Sequence, residues 1–310
     1  MRERYEHINL GVICGWFGIS RQAYYQHEWS LSEEVLQSDI LLEEVKEIRK
    51  DHKKMGVRKL QEKLKSFMHE NGIKMGRDAL FDLFSAHGML IRTRKRYIIK
   101  TTDSHHWLKK YPNLIVDFTP SKPNELWVSD ITYWRIQGQL LYISLVTDAY
   151  SRKIIGYNLA DNLRAEETTK ALEMALSNLE KRTETSEQLI HHSDRGVQYC
   201  STQYVNLLKK NHIKISMTQS GDPLENAIAE RGNGIIKGEY LLNYKCNNIE
   251  DARQLLAKAV YLYNRERPHS SIGNLTPEVV HSQYHQIESK SIKRLWKNYY
   301  NTKNTCVNPI

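Results

Sequence analysis

The sequence predicts an α/β protein in which an all-α N-terminal region precedes a mixed α/β core. Three observations carry that reading. Between residues 32 and 88 apolar side chains recur at steps of three and four, the helical period. From residue 126 three runs rich in β-branched and aromatic residues follow one another across turn residues, as strands do. Beyond residue 160, helical patterns alternate with short apolar runs, so that helices are expected against a sheet.

Near the start, Val12-Ile13-Cys14 and Trp16-Phe17 lead into Gly18-Ile19-Ser20 and then Arg21-Gln22-Ala23-Tyr24-Tyr25. An apolar turn, a glycine and a serine able to cap the next helix outline the second half of a helix-turn-helix, with Arg21 at the new helix's start. Residues 32–50 read as a helix carrying Val35, Leu36, Ile40, Leu41, Val45 and Ile48. After Gly56 a second helix uses Val57, Leu60, Leu64, Phe67 and Met68 and stops at Asn71-Gly72. A third begins near Gly76-Arg77-Asp78, carries Ala79, Leu80, Leu83 and Phe84, packs His87 on its apolar face and stops at Gly88. Arg77, at that helix's start, is placed to approach a phosphate or a base edge. Residues 91–110 turn basic, with Arg92, Arg94, Lys95, Arg96 and Lys100 around Tyr97; such a run suits a DNA backbone or a solvated linker equally. His105-His106 has no cysteine pair at zinc-binding spacing.

Pro120 to Pro123 marks a boundary, and the core follows. Strands are expected over 126–134, 140–147, 154–159, 188–192 and 213–217, with helices over 164–179, 202–211 and 251–263. Three acids stand out in this plan. Asp130 follows the apolar run Leu126-Trp127-Val128, Asp194 follows Leu189-Ile190-His191-His192-Ser193, and Glu230 lies in a helical stretch opened by Pro223. Thirty-five residues separate Asp194 from Glu230. Hard divalent cations take oxygen ligands, and two ions about 3.5–4 Å apart can promote in-line displacement at phosphorus. Acids on two strands and a helix have separations fixed by rigid elements, which is what such a site needs. Most of the 36 acidic residues must be ordinary surface charges, so the set rests on spacing and local sequence together. Asp148, at the turn before Ala149-Tyr150-Ser151, is expected to bond its own backbone and stays outside the set. Glu225 lies roughly 140° round the helix from Glu230, so the two cannot aim at one ion pair equally. Asn226 and Lys237, four before and seven after Glu230, share its face.

Charge and composition narrow the partner. The net charge of +9 and a pI near 9.2 favour a polyanion. Cys14, Cys200, Cys246 and Cys306 are scattered, without a C-x-x-C pair, and read as reduced thiols. The start has mixed charge and no apolar core of a signal peptide, and no run approaches membrane-spanning length, so a cytoplasmic protein is expected, with no membrane partner.

Four motifs together resemble a known family. They are Trp127-Val128-Ser129-Asp130-Ile131-Thr132-Tyr133; His192-Ser193-Asp194-Arg195-Gly196-Val197-Gln198-Tyr199; Ser216-Met217 through Asn226-Ala227 to Glu230; and Tyr263-Asn264 through Arg267-Pro268-His269. In order and spacing they resemble the catalytic subunit of bacterial insertion-sequence transposases, the DDE group related to retroviral integrases, in the form encoded by a second reading frame. The resemblance implies an RNase H-like integrase catalytic core over 123–282, preceded by a partial helix-turn-helix (1–30), a helical helix-turn-helix-like DNA-binding domain (31–90) and a basic linker (91–122), and followed by a basic tail (283–310). It implies that Asp130, Asp194 and Glu230 are catalytic and hold two Mg²⁺ ions, with Mn²⁺ as substitute. It implies DNA contacts from Asn226, Lys237, Arg267 and His269, the last two in a segment that either holds DNA or packs behind the site. Arg21, Arg77, Arg94 and Arg96 are the DNA-contact candidates outside the core. Expected partners are DNA at element ends and targets, the upstream-frame product or a fusion with it, and further copies of the chain in an oligomer.

One departure stands beside the third acid: Gly232 and Gly234 occupy a helical stretch where the family usually carries a bulky apolar residue at 232, each at a cost of about 1 kcal/mol relative to alanine. This departure leaves a DNA-binding regulator with a decayed core compatible with the sequence, and the same acids would also serve an RNase H-like nuclease limited to hydrolysis.

Overall fold

The computed structural model describes residues 8–91, 106–180, 189–219, 226–242 and 244–286. The chain divides into two compact units, one of residues 1–51 and 63–90 and the other of residues 52–62 and 91–310.

In the first unit, Asn9 caps α1 (Leu10–Trp16) by accepting from the Gly11 N–H at 2.8 Å. Ser20 then accepts from the Ala23 N–H at 3.0 Å and starts α2 (Arg21–Asp51). The capping role expected of Ser20 is present, but α2 runs unbroken for 31 residues through the boundary expected at 30–31. Buried residues of α2 are Leu41, Leu42 and Val45, all in its second half; in its first half Trp29, Val35 and Leu36 are exposed. α3 (Val57–Glu70) and α4 (Arg77–Ala86) end as expected, with Gly72 and Gly88 in the left-handed conformation. There Ile73 N–H reaches the Met68 carbonyl and Met89 N–H the Phe84 carbonyl, closing each helix's last turn. His87 differs from expectation: it is the C-cap of α4 and is exposed, because the helix ends one residue before it would face inward.

The second unit is built on a five-stranded sheet in the order β3-β2-β1-β4-β5. Its strands are β1 (Leu126–Ile136), β2 (Gln139–Asp148), β3 (Ile154–Ala160), β4 (Ile190–Ser193) and β5 (Lys214–Met217). β1 to β3 form an antiparallel meander, whereas β4 and β5 add parallel strands on the other side of β1. The first and fourth strands are therefore neighbours in the sheet. α5 (Ala165–Glu180), α6 (Val197–Cys200) and α7 (Thr202–Lys210) supply the crossovers. Leu172, Ala175, Leu176 and Tyr204 pack with Trp127, Val146 and Ile215 in one apolar cluster. α8 (Ala227–Ile235) continues directly into a π-helical segment (Ile236–Leu241), followed by α9 (Ile249–Arg265) and α10 (Pro277–Ser282). A second cluster joins Ile143, Leu145 and Leu159 to Ile236, Tyr240, Leu256 and Tyr263. Among the described residues no helix is long and apolar enough to cross a membrane, and Cys14, Cys200 and Cys246 are free thiols.

Two glycines separate close packing from spare room. A Cβ on Gly156 in β3 would fall 2.0 Å from the Ala171 carbonyl oxygen of α5, a backbone atom that can yield only if the helix moves. A Cβ on Gly232 would meet Thr147 Oγ1 at an ordinary 3.7 Å. Gly156→Ala is therefore expected to lower stability by about 1–3 kcal/mol, whereas Gly232→Ala is expected to raise it by up to about 1 kcal/mol. Urea unfolding of the two variants checks both signs, and a tolerated Gly156→Ala would contradict the β3–α5 packing.

Candidate active site

The register of the parallel strands brings two acids together. Val128 of β1 pairs with His192 of β4, so the positions two residues on, Asp130 and Asp194, emerge side by side. Asp194 stands just past the end of β4, where its Oδ1 accepts from the Gly196 N–H at 2.9 Å. A Cβ at residue 196 would lie 3.0 Å from that same oxygen, so the glycine gives the carboxylate room to fold back on its own loop. Behind the loop, Nε2 of His106 and the Arg195 carbonyl oxygen are 2.7 Å apart.

α8 is laid along β1 by two asparagines two turns apart. Asn226, its N-cap residue, donates to the Ser129 carbonyl at 2.9 Å, and Asn233 donates to Asp130 Oδ2 at 2.8 Å. Ala229 and Gly232 are buried between them, small enough for the helix to approach the sheet, and α8 is unbroken through both glycines. Glu230 lies on this helix and is exposed. Two turns further, Lys237 sits 3.5 Å from the centre of the Tyr133 ring, and partial burial lowers its pKa.

The electrostatics link the three acids. Burial pushes the Asp130 carboxyl up to about 7, the charge of Asp194 adds to the rise and that of Glu230 contributes further, while hydrogen bonds from Asn233 and the Ile131 backbone oppose it. Beneath them, the hydroxyls of Ser129 and Tyr204 both lie within 2.9 Å of His191 Nε2, and burial drives that imidazole down to about 3, so it is neutral. Asp148 behaves as expected of a turn acid. It accepts from the Ser151 N–H and hydroxyl and from the Asn124 N–H, each at 2.7 Å. Burial alone would raise its pKa, but His281 and these backbone donors outweigh it and the pKa is lowered.

Several expected DNA contacts are placed elsewhere. Asn226 is buried with its amide turned to the strand, so it positions α8 instead of facing DNA. Arg267 is 1% exposed and makes a two-pronged pair with Glu239 at 2.7 and 2.8 Å, with Lys59 reaching the same carboxylate at 3.2 Å. Burial opposes the charge on Glu239, yet Arg267 and Lys59 hold its carboxyl below the usual range. His269 is buried, bonds Ser271 at 2.9 Å and packs edge-on to Tyr263; burial and the charge of Arg267 push it down to about 2. Both side chains of this segment are turned into the protein, Arg267 onto Glu239 and His269 onto Tyr263. Arg21 and Arg77 are exposed at helix starts, Arg77 paired with Asp78, and Arg94 and Arg96 lie outside the described residues, as does Glu225. Over residues 22–45 α2 is poorly suited to phosphate, with six acids and no Lys or Arg.

Sequence reasoning missed Asn233. It lies one turn after Glu230, and that spacing was the available signal. Its Oδ1 is buried without a hydrogen-bond partner, directly beside an acid whose ionisation is opposed by like charge. A hard cation suits such a donor set. Among the described residues no three His, Cys, Asp or Glu side chains are closed up as a ready metal cage. The arrangement is open, and Mg²⁺ commonly uses one or two carboxylates plus phosphate oxygens and water.

Comparison with known proteins places the chain in a family. Residues 120–223 match a family model described as the integrase core domain, and residues 211–277 match a second model of the same description. The insertion element IS600 uncharacterized 31 kDa protein of Shigella sonnei is 36% identical over 283 residues, spanning 89% of this chain and 99% of that protein. The transposase for insertion sequence element IS629 of Shigella sonnei is 26% identical over 294 residues, 92% of this chain and 94% of that one. The putative transposase InsK for insertion sequence element IS150 of Escherichia coli K12 is 32% identical over 167 residues, 54% of this chain and 58% of that one. Among solved structures, the HTLV-2 integrase catalytic core domain in complex with magnesium (trimeric form) has a TM-score of 0.41 at 23% identity, covering 52% of this chain and 97% of that one. The simian T-cell lymphotropic virus intasome chain has a TM-score of 0.45 at 17% identity, covering 71% and 73%. Matched along most of its length by an insertion-element protein, and across its sheet and α8 by the integrase core models, the chain belongs to the DDE transposases of bacterial insertion sequences, which act in DNA transposition.

Proposed function

We propose that Asp130, Asp194 and Glu230 are the catalytic carboxylates of a strand transferase that cuts at the ends of its own element and joins them to new DNA. The observation that carries this reading is the strand register that sets Asp130 beside Asp194, with Asn233 of the helix bearing Glu230 donating to Asp130 Oδ2 at 2.8 Å; burial and the two acidic neighbours raise Asp130 to about 7. Asp130 and Asp194 present hard oxygens from adjacent strands, and exposed Glu230 reaches the same neighbourhood from α8. The three acids would hold a pair of Mg²⁺ ions, or Mn²⁺ in their place, which would activate the attacking oxygen and neutralise the leaving one. The chain's own tasks are positional. Asn233 fixes Asp130 Oδ2 and, as a donor, favours the ionised carboxylate. Gly196 holds Asp194 in its loop, and Lys237 offers a partly desolvated cation to a DNA phosphate. The nucleophile is first water and then a strand's 3′-hydroxyl, which displaces a bridging oxygen at phosphorus without forming a bond to the protein.

The net charge of +9 suits DNA as the partner. Two element ends must be paired for transfer, so the working form is an oligomer on DNA, assembled with the upstream-frame product or as a fusion to it, in the cytoplasm at the nucleoid.

In a Mg²⁺-dependent assay with labelled DNA from the element's ends and the upstream-frame product present, wild type should give joined strands. Glu230→Gln should bind the same DNA while losing transfer by at least about 10²–10³-fold. Undiminished joining by that variant would remove Glu230 from the site, and hydrolysis without joining by wild type would make the protein a nuclease.

Asp130 carries a second expectation. Without divalent ions it keeps its proton in the fold up to about pH 7 but loses it near 3.8 when unfolded, so stability falls as pH rises between those values. Asp130→Asn lacks this dependence and should melt above wild type at pH 8, with the difference closing toward pH 4. Mg²⁺ should then raise the melting temperature of wild type and not of the variant; equal shifts in both would place the ion elsewhere.

A further inference from the structure

The segment leading into the core passes beside the Asp194 loop. It is anchored on both sides of the sheet edge: the Leu114 N–H donates to Ser216 Oγ at 2.9 Å, and the Met217 N–H to the Pro112 carbonyl at 3.3 Å. Leu108 and Tyr111 turn inward onto the apolar cluster under β4 and β5. His106 is tied to the Arg195 carbonyl, one residue past Asp194. Between these anchors Trp107 is 92% exposed. Tryptophan is highly buried on average, and its side chain carries about 150–250 Å² of mostly apolar surface. Here it is held outward by a strap whose neighbouring residues are fixed.

The surroundings are cationic. Lys109 and Lys110 are exposed next in sequence, and Lys109 Nζ lies 5.4 Å from the Tyr111 ring centre. Nε of Arg195 is buried without a hydrogen-bond partner. Lys110 and Arg195 both act on the Cys200 thiol, which burial pushes up to about 11 and which also feels Asp194, so the cations and the acid share one neighbourhood. An exposed indole flanked by cations beside a strand-cutting loop combines the two elements that hold single-stranded nucleic acid: a face for a base to stack on and charge for its phosphate. A closed duplex offers the phosphates but keeps its base faces stacked. A strand end offers both.

We propose that Trp107, with Lys109, Lys110 and Arg195, forms a subsite for an unpaired nucleotide at the DNA strand end, stacking its base on the indole beside the Asp194 loop. This rests on the strand-transfer reading of the site, and it adds a stacking residue outside the acidic trio and its helix.

The test uses the full chain without divalent ions, so that binding is read apart from chemistry. Two duplexes are compared, one with a two-nucleotide single-stranded end carrying 5-iodouracil and one closed at both ends by hairpins. Trp107→Ala should weaken binding of the open end by roughly 5- to 150-fold, the range set by stacking of one base, and leave the closed duplex within about twofold. Trp107→Phe should recover most of the loss, and irradiation of wild type should cross-link the iodouracil to the peptide containing Trp107. The melting temperature should not change, since the side chain makes little packing. Equal loss on both duplexes, no loss on either, a cross-link elsewhere, or a change confined to the oligomeric state would overturn the subsite. Glu230→Gln separates the two readings: a subsite that binds and cross-links in wild type and Glu230→Gln alike, with neither joining strands in Mg²⁺, would stand while the transferase reading fails. Joining by wild type with Trp107→Ala indistinguishable would do the reverse.

Discussion

The site depends on keeping a carboxylate on the central strand, out of water and next to a second one. Burial and like charge both oppose ionisation of Asp130, which is why its pKa rises to about 7. Left to relax, such a pair would separate or take up a proton. The sheet prevents the first: β1 is hydrogen-bonded on both sides, antiparallel to β2 and parallel to β4, so neither acid-bearing segment can slide by one residue without turning its side chains to the other face. Asn233 acts against the second by donating to Asp130. The strain is electrostatic and local, and it is the kind a site tolerates when a cation is meant to complete it.

The helix that brings Glu230 must meet two demands at once. Its front contacts need α-helical spacing, since Asn226 and Asn233 are seven residues apart and both reach β1. Its rear contacts lie in the π-helical segment, where Glu239 meets Arg267 and Lys59 and Tyr240 meets His52 at 3.1 Å. Inserting a residue into the turn rotates the helix beyond it, so one continuous rod can face the acids with its first half and the supporting layer with its second. Glu239 is partly buried between two cations, and removing Arg267, which makes two of the three bonds, would leave its carboxylate with Lys59 alone. The Arg267-Pro268-His269 motif thus acts at a distance, fixing the far end of the helix that carries Glu230.

Much of this was legible because it is local. Strand limits agreed within about two residues, since alternation and turn residues mark them, and Asp148 was recognisable as a turn acid because Ser151 lies at the spacing that lets the carboxylate bond its own loop. The continuity of α2 could have been read, since no glycine or proline occurs between Gly18 and Gly56, but a boundary was expected at 30–31. The roles of Asn226, Asn233 and Arg267 were not legible. An exposed cation and a buried one look alike in sequence, and the deciding factor is a carboxylate 28 residues away on another element. Fraction buried is a tertiary property, whereas periodicity is not.

The strap at residues 106–118 shows the same economy at the other edge of the sheet. β5 ends the sheet and is an open edge that another strand could pair with. Pro112 and Leu114 cover part of that edge through one backbone bond and one serine hydroxyl, and proline cannot extend the ladder. The same stretch begins at His106 on the Asp194 loop. Protection of the edge and support of the loop are therefore coupled: a strap displaced from β5 would also release the Arg195 carbonyl.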